Sequence, residues 1–303
     1  MLQKKAGWPV DAELTDRQKR RKRRIEKVCA LHGTIDHANL PSFDPVEYYQ
    51  ILVDDTRRIL YCEINKAACT NWKRILLVLT GKMNTTRPKD LNHYDVHHDL
   101  EATFLPRLYT FPTAGIRYRL DNYFKFVFVR EPIERFLSAF LDKFTFAVND
   151  LYRQEFGRKI IARYRKHPSK ASLANGSDVT LKEFVEYLLD PETRMVEGVR
   201  PHWYGFDPHW RAYYQQCHPC LVPYDFVGKY ETLSEDVDHL LKLLGVYGSV
   251  EFPVTKTGRN KTSDYMKQMF ASISAFDVQR LWELYSHDYS LFGYKYPSFL
   301  LDQ

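Results

Sequence analysis

The sequence of 303 residues contains no apolar run of the length that a membrane-spanning helix needs, which is about 18 residues or more. No apolar segment of a signal peptide follows Met1 either. The sequence therefore indicates neither a membrane span nor a secretory leader. Its aromatic content is high, with 21 Tyr, 19 Phe and 5 Trp, which excludes a mainly disordered chain and is typical of a folded globular protein.

A nucleotide motif and a metal motif are also missing. No Gly-Lys-Ser/Thr ends a glycine-rich loop, so the sequence lacks the Walker A motif of ATP- and GTP-binding enzymes. The Cys-x-x-Cys motif at Cys217 and Cys220 has no second copy, which disfavours a zinc or redox site and favours disulfides, with each other or with other cysteines. Because five cysteines are present, at least one thiol stays free, and Cys69 is the best candidate.

The net charge of +6 is concentrated near the N-terminus. Residues 17–24 read Arg-Gln-Lys-Arg-Arg-Lys-Arg-Arg, and without these seven basic side chains the net charge would be −1. A nucleic-acid-binding protein usually carries its charge on the folded domain, so we expect no nucleic-acid partner. We predict a basic N-terminal arm at 1–45 and a single domain at 46–303. A solvated helix is the favoured interpretation of the basic run, with a nuclear signal and a nucleic-acid or polyanion contact as alternatives.

A lysine-containing loop between a predicted strand and a predicted helix indicates a phosphate site. Ile59–Tyr61 has the apolar pattern of a buried strand, Lys66–Thr70 is a loop of small residues, and an amphipathic helix begins at Asn71 and ends near Gly81. Loop amides and a helix N-terminus present aligned N–H dipoles, and Lys66 adds a positive charge. The alternative is an ordinary strand-to-helix turn whose lysine is only solvated.

A second stretch has the same order of elements. Aromatic and β-branched residues at 124–129 predict a buried strand, and Arg130 follows at its end, where ligands of open α/β sheets bind. Pro132 suits the first turn of a helix, and that helix carries Ser138. An arginine and a serine in these positions can bind one phosphate from two directions. An ordinary salt bridge between Arg130 and a neighbouring glutamate is the alternative.

Together, Lys66-x-x-x-Thr70 and Arg130 with Ser138 resemble the cofactor sites of the Golgi carbohydrate sulfotransferases. The similarity continues through His209-Trp210, Cys217-His218-Pro219-Cys220, the segment from Tyr224 to Leu233, and Tyr296-Pro297-Ser298-Phe299-Leu300. Within this family the chain looks most like the chondroitin 4-O-sulfotransferase group. One departure is Asn65, which stands where the family usually has proline before the lysine.

The resemblance implies an α/β fold with a central parallel sheet flanked by helices, like the P-loop kinases in outline. It implies metal-independent transfer of a sulfuryl group from PAPS (3′-phosphoadenosine-5′-phosphosulfate) to a glycosaminoglycan hydroxyl, specifically the 4-OH of GalNAc in chondroitin. Dermatan and terminal GalNAc of N-glycans are alternative acceptors, whereas a kinase-like enzyme and a non-catalytic polyanion-binding protein are alternatives of another class. The expected partner is an acidic chondroitin-type glycan in the Golgi lumen, and membrane attachment is expected only through an anchor absent from this chain.

The resemblance also assigns two PAPS-binding segments. The first holds the 5′-phosphosulfate and the second holds the 3′-phosphate. Their residues are Asn65, Lys66, Ala67, Ala68, Cys69, Thr70 and Asn71 in the first segment, and Arg130, Glu131, Pro132, Ile133, Glu134, Arg135, Phe136, Leu137 and Ser138 in the second. Lys66 is expected to be catalytic as well, because it would stabilise charge on the leaving oxygen.

The reaction also needs a base, because the acceptor hydroxyl loses its proton as it attacks sulfur. Imidazole has a suitable pKa near neutrality, and His-Trp dipeptides begin at His202 and His209. The family pattern has His-Trp shortly before the Cys-His-Pro-Cys motif, which selects His209. Glu131 is the competing candidate.

Two other polar segments have more than one interpretation. His93, His97 and His98 lie among aspartates at a spacing that can bind a metal on a helix, but we favour a polar segment over the substrate cleft. The arginine-rich segment 151–165 predicts a helix that is either solvated or bound to an acidic glycan, followed by a loop from Pro168 to Asp178.

Three glycosylation sequons suggest the secretory lumen. They begin at Asn84, Asn175 and Asn260.

Overall fold

The computed structural model describes residues 12–31, 44–147, 150–195, 206–253 and 262–297. They form two compact units, and the single domain expected at 46–303 stays a prediction. The first unit contains residues 12–31, 44–130, 213–253 and 290–293 of this set, and the second contains 131–147, 150–195, 206–212, 262–289 and 294–297. The predicted boundary between an arm and a domain at residue 45 stays a prediction.

The first unit is built on a four-stranded sheet with the strand order β1-β2-β3-β4. β1 (Ile51–Asp54) pairs antiparallel with β2 (Ile59–Cys62), whereas β2, β3 (Phe124–Val129) and β4 (Phe226–Lys229) are mutually parallel. The predicted α/β fold with a central, mainly parallel sheet is confirmed. The antiparallel edge strand β1 was not predicted from the sequence.

Thirteen α-helices lie in the described residues. They are α1 (Ala12–Leu31), α2 (Cys69–Leu79), α3 (His93–His97), α4 (Asp99–Phe104), α5 (Thr113–Asn122), α6 (Pro132–Phe140), α7 (Arg158–Tyr164), α8 (Lys170–Asn175), α9 (Leu181–Leu189), α10 (Tyr213–Cys217), α11 (Leu233–Leu243), α12 (Thr262–Phe270) and α13 (Ala275–Phe292). Short 3₁₀ segments lie at Pro45–Tyr48, Pro88–Asp90, Leu108–Thr110, Pro191–Met195 and Tyr230–Thr232, and π turns at Leu141–Thr145 and Arg153–Gly157. Within these ranges no helix has both the length and the apolar composition needed to cross a membrane.

The parallel strands bring the Lys66 loop and Arg130 to one edge of the sheet. Cys62, the last residue of β2, lies opposite Val127 in β3. Both strands therefore end at the same side, and the Lys66 loop and Arg130 follow these two ends. Ligands of open α/β sheets bind outside the carboxyl ends of the strands, so the topology supports the predicted placement.

The buried aromatic side chain of Trp72 fixes α2 against this sheet. Trp72 is fully buried, and its ring centroid lies 5.0 Å from that of Phe126 and 4.9 Å from that of Phe128. Truncating a buried ring of this size usually costs about 3–5 kcal/mol of stability. The packing thus fixes the start of α2, and with it the loop that carries Lys66.

The basic helix α1 is attached to the outer edge of β4, the last strand of the sheet. The Gln18 side-chain amide donates to the Val227 carbonyl at 3.1 Å and accepts from the Val227 N–H at 3.0 Å, so it occupies backbone groups that a further strand would use. Arg21 donates to the Val227 carbonyl and to Asp236, both at 2.7 Å. One face of the predicted solvated helix is therefore docked on the first unit.

Four of the five cysteines form disulfides in the first unit. Cys29 is bonded to Cys220, and Cys62 is bonded to Cys217. The two cysteines of the Cys-x-x-Cys motif are therefore paired with other cysteines, which is one of the two pairings that the sequence left open. The prediction that Cys69 is the free thiol is confirmed.

The second unit has an aromatic core centred on Phe184 of α9. Its ring lies 5.4 Å from that of Phe136 and 5.1 Å from that of Trp210. The predicted loop from Pro168 to Asp178 was wrong, since this stretch contains α8. The Ser169 side chain caps the helix start and Gly176, with φ +63°, ends the helix, and these two signals outweigh the polar composition.

Candidate active site

The loop after β2 has a backbone conformation that points to an anion. Lys66 has a φ of +70° and Ala68 a φ of +67°, in the left-handed region that non-glycine residues rarely occupy. Such strain persists where the surrounding structure enforces it and is concentrated at functional sites. Left-handed residues within a turn direct successive backbone N–H groups toward a concave surface, which suits a phosphate.

The start of α2 adds further donors to this loop. The helix begins at Cys69, so the prediction of Asn71 was late by two residues, and Cys69, Thr70 and Asn71 lie in the first helical turn. The N-cap residue is Ala68, whose methyl side chain cannot accept a hydrogen bond, and no other side chain caps α2 in the described structure. The Asn71 N–H already donates to the Ala68 carbonyl at 3.1 Å, so the amides of Cys69 and Thr70 are the ones that water or an anion can satisfy.

The side chains of this first turn have different environments. The Asn71 amide donates to the Pro253 carbonyl at 2.7 Å, so it anchors the helix. The Cys69 thiol is buried, and this burial raises its pKa although the nearby Lys66 ammonium opposes the rise. Thr70 is partly exposed, and its Oγ1 lies 2.9 Å from Nε2 of His97. Of the three, Thr70 is the side chain best placed to contact a ligand.

A buried charge network lies behind the loop, and sequence reasoning missed it. The Lys73 ammonium lies 2.5 Å from Glu63 Oε1 and also contacts Glu101. Arg107 contacts both carboxylates, at 3.4 Å from Glu63. Burial would raise the pKa of Glu63, but the contacts with Lys73 and Arg107 outweigh it and lower this pKa to about 2. The hint in the sequence was the pair of charged residues Lys73 and Arg74, which lies between Trp72 and the apolar end of α2.

Part of this network has donor atoms spaced as in a metal site. Ligand atoms of Glu63, His97 and Glu101 lie within 4.8 Å of one another. The Lys73 ammonium contacts both carboxylates and lies 3.1 Å from Nδ1 of His97. The ammonium therefore occupies the position that a cation would take between these three residues. His97, which the sequence grouped with its neighbouring histidines, belongs to this network.

Arg130 lies at the carboxyl end of β3 as predicted. Arg130 is 6% exposed, and its backbone carbonyl accepts a hydrogen bond from the Tyr213 hydroxyl at 2.7 Å. Its guanidinium lies 4.5 Å from the centroid of the Tyr230 ring, directly after β4, which holds the arginine by a cation–π contact. The arginine is thus positioned at the same sheet edge as the Lys66 loop.

The remaining residues of the predicted 3′-phosphate segment form α6 in the second unit. Pro132 is its first residue, as predicted. The side chains of Ile133, Phe136 and Leu137 are fully buried, and the Arg135 guanidinium donates to three backbone carbonyls, among them that of His209 at 2.9 Å. The partly exposed residues of the helix are those that can reach a ligand. They are Glu134 and Ser138, with Glu131 at the cap.

Glu131, the competing base, is the N-cap of α6. Its carboxylate accepts from the Glu134 N–H at 2.6 Å and from the Tyr289 hydroxyl. Burial raises its pKa to about 7, although these hydrogen bonds oppose the rise. This pKa suits a base, but both oxygens already accept hydrogen bonds that hold the helix start.

His209, the predicted base, has a carboxylate partner that sequence reasoning missed. Its Nδ1 lies 2.6 Å from Oδ1 of Asp207, and the Tyr152 hydroxyl lies 3.0 Å from the same nitrogen. Burial would raise the pKa of Asp207, but contact with His209 lowers it. A neutral imidazole that donates from Nδ1 carries its lone pair on Nε2 and can accept a proton there. The spacing Asp-x-His in the sequence could have revealed the pair of Asp207 and His209. The other histidine that was considered, His202, lies outside the described residues.

Three arginines of the segment after 150 are paired with acidic side chains; they are Arg153, Arg163 and Arg165. Arg163 lies 2.7 Å from Asp190, and Arg165 lies 2.6 Å from Asp178 and 2.7 Å from Glu183. These pairs favour the solvated interpretation over a glycan contact. The sequon asparagines Asn84 and Asn175 are exposed, and Asn260 lies outside the described residues.

Comparison with known proteins agrees with the geometry. The chain is 38% identical over 256 residues to carbohydrate sulfotransferase 11 of Rattus norvegicus, covering 84% of this chain and 70% of that protein. It is 40% identical over 284 residues to carbohydrate sulfotransferase 8 of Mus musculus, covering 92% and 64%, and 34% identical over 306 residues to carbohydrate sulfotransferase 14 of Danio rerio, covering 98% and 77%. No solved structure gave a significant match. Residues 49–295 match the sulfotransferase family, and the chain belongs to that family.

Proposed function

We propose that this chain transfers a sulfuryl group from PAPS to a hydroxyl group of a glycan. The observation that carries the proposal is the loop after β2, where two non-glycine residues, Lys66 and Ala68, have positive φ and lead into the uncapped start of α2. This backbone gathers N–H donors and one ammonium at the carboxyl edge of a parallel sheet. The sulfate donor that the sulfotransferase family uses has a 5′-phosphosulfate that such a loop can hold.

The loop residues have distinct roles in the proposed reaction. The loop amides and the Thr70 hydroxyl hold the 5′-phosphate, and the Lys66 ammonium stabilises the negative charge that develops on the leaving oxygen. Arg130, at the neighbouring strand end, is the charged ligand of the 3′-phosphate, which distinguishes PAPS from ATP. Attacking and leaving oxygens lie in line across sulfur, so catalysis consists mainly of positioning and charge stabilisation, as in phosphoryl transfer.

In the second unit, His209 is the proposed base and Ser138 a proposed ligand of the 3′-phosphate. Asp207 holds the imidazole through Nδ1, so that Nε2 can take the proton of the acceptor hydroxyl. The carboxylate also stabilises the imidazolium that forms after proton transfer. This pairing favours His209 over Glu131, whose oxygens accept hydrogen bonds within its own helix and from Tyr289.

The finer part of the proposal concerns the acceptor and its location. We propose the 4-OH of GalNAc in chondroitin as the acceptor group. Dermatan and terminal GalNAc of N-glycans stay as alternatives, because the relatives' names specify a carbohydrate but not the hydroxyl. The Golgi lumen is the proposed location. Two disulfides and the exposed sequon asparagines Asn84 and Asn175 support an oxidising secretory compartment.

Cofactor identity can be tested by thermal unfolding with PAP (3′-phosphoadenosine-5′-phosphate) and with ADP. PAP should protect the protein and ADP should not, because only PAP carries the 3′-phosphate that Arg130 is proposed to bind. Protection by ADP without protection by PAP would overturn the sulfotransferase proposal and favour a kinase-like enzyme.

Acceptor identity can be tested with radiolabelled PAPS and a panel of chondroitin, dermatan, desulfated glycans and N-glycans with terminal GalNAc. Sulfate should appear on the 4-OH of chondroitin GalNAc, and its appearance on another acceptor would redirect the finer proposal. Lys66→Ala should abolish transfer, whereas the matched control Lys89→Ala, at an exposed lysine of the same unit, should retain it. Glycan binding that is unchanged in Lys66→Ala, with no transfer by the wild type, would identify a non-catalytic polyanion-binding protein.

A further inference from the structure

The geometry points to His97 as a positioning residue that donates from Nε2 to the Thr70 hydroxyl oxygen, so that the hydroxyl hydrogen of Thr70 is directed to the cofactor. This inference rests on the proposed function, in which Thr70 binds the 5′-phosphate of PAPS. His97 is not proposed to touch the cofactor itself. It acts through Thr70, and its own orientation is set by the buried Lys73.

The first step concerns the donors of Lys73. An ammonium group has three N–H donors and no acceptor. Lys73 is 2% exposed, and its Nζ lies beside three acceptors: Glu63 at 2.5 Å, Glu101, and Nδ1 of His97 at 3.1 Å. Burial would lower the pKa of Lys73, but the two carboxylates outweigh it and raise this pKa, so the ammonium is charged. The two carboxylates hold the ammonium in place by ion pairs, and the ammonium forms a hydrogen bond with Nδ1 of His97, in which it can only be the donor.

The second step fixes the tautomer of His97. A nitrogen that accepts a hydrogen bond from an ammonium carries a lone pair and no proton, so Nδ1 is unprotonated. A neutral imidazole has its single N–H on the other nitrogen, which is Nε2 here. Nε2 lies 2.9 Å from Oγ1 of Thr70, so it donates to that oxygen. The reverse direction, with Thr70 donating, would need a proton on Nδ1 facing the Lys73 ammonium.

The third step concerns the hydroxyl hydrogen of Thr70. Among the described residues His97 is the one hydrogen-bond partner of this hydroxyl, and it supplies the hydrogen of that bond. The Thr70 hydrogen is therefore available for another acceptor, and the side chain is partly exposed at the first turn of α2. Phosphate oxygens only accept hydrogen bonds. The network thus presets Thr70 as a donor at the position where the 5′-phosphate is proposed to bind.

A double-mutant cycle on PAP affinity tests this coupling. Replacing Thr70 by valine removes the donor and should weaken PAP binding about 10-fold, as the loss of a hydrogen bond to a charged group does. His97→Phe should weaken binding by about 3-fold to 10-fold in the wild type but cause no further loss in the Thr70→Val background, because its effect passes through Thr70. Equal losses in both backgrounds would show that His97 acts on the fold alone and would overturn the inference.

Two further variants serve as controls. His97→Gln can accept from Lys73 with its amide oxygen and donate to Thr70 with its nitrogen, so it should bind PAP within about 3-fold of the wild type. His98→Gln changes an exposed neighbouring histidine and should leave affinity unchanged. Loss of affinity in His97→Gln as large as in His97→Phe, with both variants folded by urea unfolding, would contradict the proposed donor role.

The tautomer can also be read in the wild-type protein, without any variant that might fail to fold. With ¹⁵N-labelled histidine, the Nδ1 resonance of His97 should have the shift of an unprotonated nitrogen and Nε2 that of a protonated one. A proton on Nδ1 would overturn the inference directly. Failure of the proposed function is distinguishable: a wild type that does not bind PAP contradicts the proposed cofactor, whereas PAP binding with the wrong tautomer contradicts only the role of His97.

Discussion

Glu131 should make the second unit less stable as the pH rises. Burial at the N-cap of α6 raises its pKa to about 7, from an ordinary value of 4.5 in the unfolded chain. Between these two values the folded protein holds a proton that the unfolded chain has released. The free energy of unfolding that this group contributes is therefore fully present below about pH 4.5 and is lost as the pH rises through 7.

The size of the effect follows from the same two pKa values. Their separation corresponds to about 3 kcal/mol of unfolding free energy, of which about 2.5 kcal/mol is lost between pH 5 and pH 8. Glu131→Gln keeps the shape of the side chain and one acceptor for the Glu134 N–H but cannot titrate. The difference in unfolding free energy between the wild type and this variant should therefore fall by about 2.5 kcal/mol over that range.

Urea unfolding at several pH values measures this difference, because the contributions of all other groups are shared by the two proteins. Tyr289→Phe provides a second test of the same reasoning. The Tyr289 hydroxyl donates to the carboxylate and lowers its pKa, so removing it should raise the pKa of Glu131 and extend the loss of stability to higher pH. If the unfolding free energies of the wild type and Glu131→Gln changed in parallel with pH, the reasoning would be refuted. The Glu131 carboxyl would then have the same pKa in the folded and the unfolded chain.

Three further variants test the site and the sheet. Lys66→Ala should lower kcat for sulfuryl transfer by two or more orders of magnitude, roughly as the loss of an oxyanion donor does, in a radiolabel assay. Asp207→Asn should lower kcat by on the order of 100-fold with little change in KM for PAPS, because the base loses its orientation; an unchanged kcat would contradict the role of His209. Gly228→Ala should destabilise the protein by about 2 kcal/mol in urea unfolding, since a Cβ at this position would lie 2.2 Å from the Phe128 ring, and a stable variant would contradict the close packing of β3 and β4.

The strands and helices with strong periodicity could be predicted from the sequence. The predicted strands at Ile59–Tyr61 and 124–129 agree with β2 and β3 to within a residue or two. β1 was missed because three apolar residues followed by an aspartate carry too little pattern to separate an edge strand from a loop. The start of α2 was placed late because its N-cap is Ala68 in a left-handed conformation, and no capping side chain marks it in the sequence.

The candidate site could be predicted in part. Lys66, Thr70 and Arg130 follow strands, and strand ends are visible in a sequence. The partners of these residues are not, since Glu101 and Arg107 reach Lys73 only through the fold, and the disulfide between Cys62 and Cys217 joins residues 155 positions apart. The buried face of α1 was hidden for a similar reason. Nothing in a run of basic residues indicates that Gln18 pairs with the edge of β4.

The network behind the loop also explains how a loop without glycine can hold two left-handed residues. Glu63 immediately follows β2, and Lys73 lies in the second turn of α2, so their contact at 2.5 Å closes the loop from both ends. Each left-handed non-glycine residue costs on the order of 1 kcal/mol or more, and such a conformation persists only where other contacts enforce it. Breaking a buried ion pair by removing one partner is strongly destabilising, so the contact between Glu63 and Lys73 holds the two ends of the loop together. The charges that orient His97 thus also hold the backbone of Lys66 and Ala68 in the shape proposed to bind the cofactor.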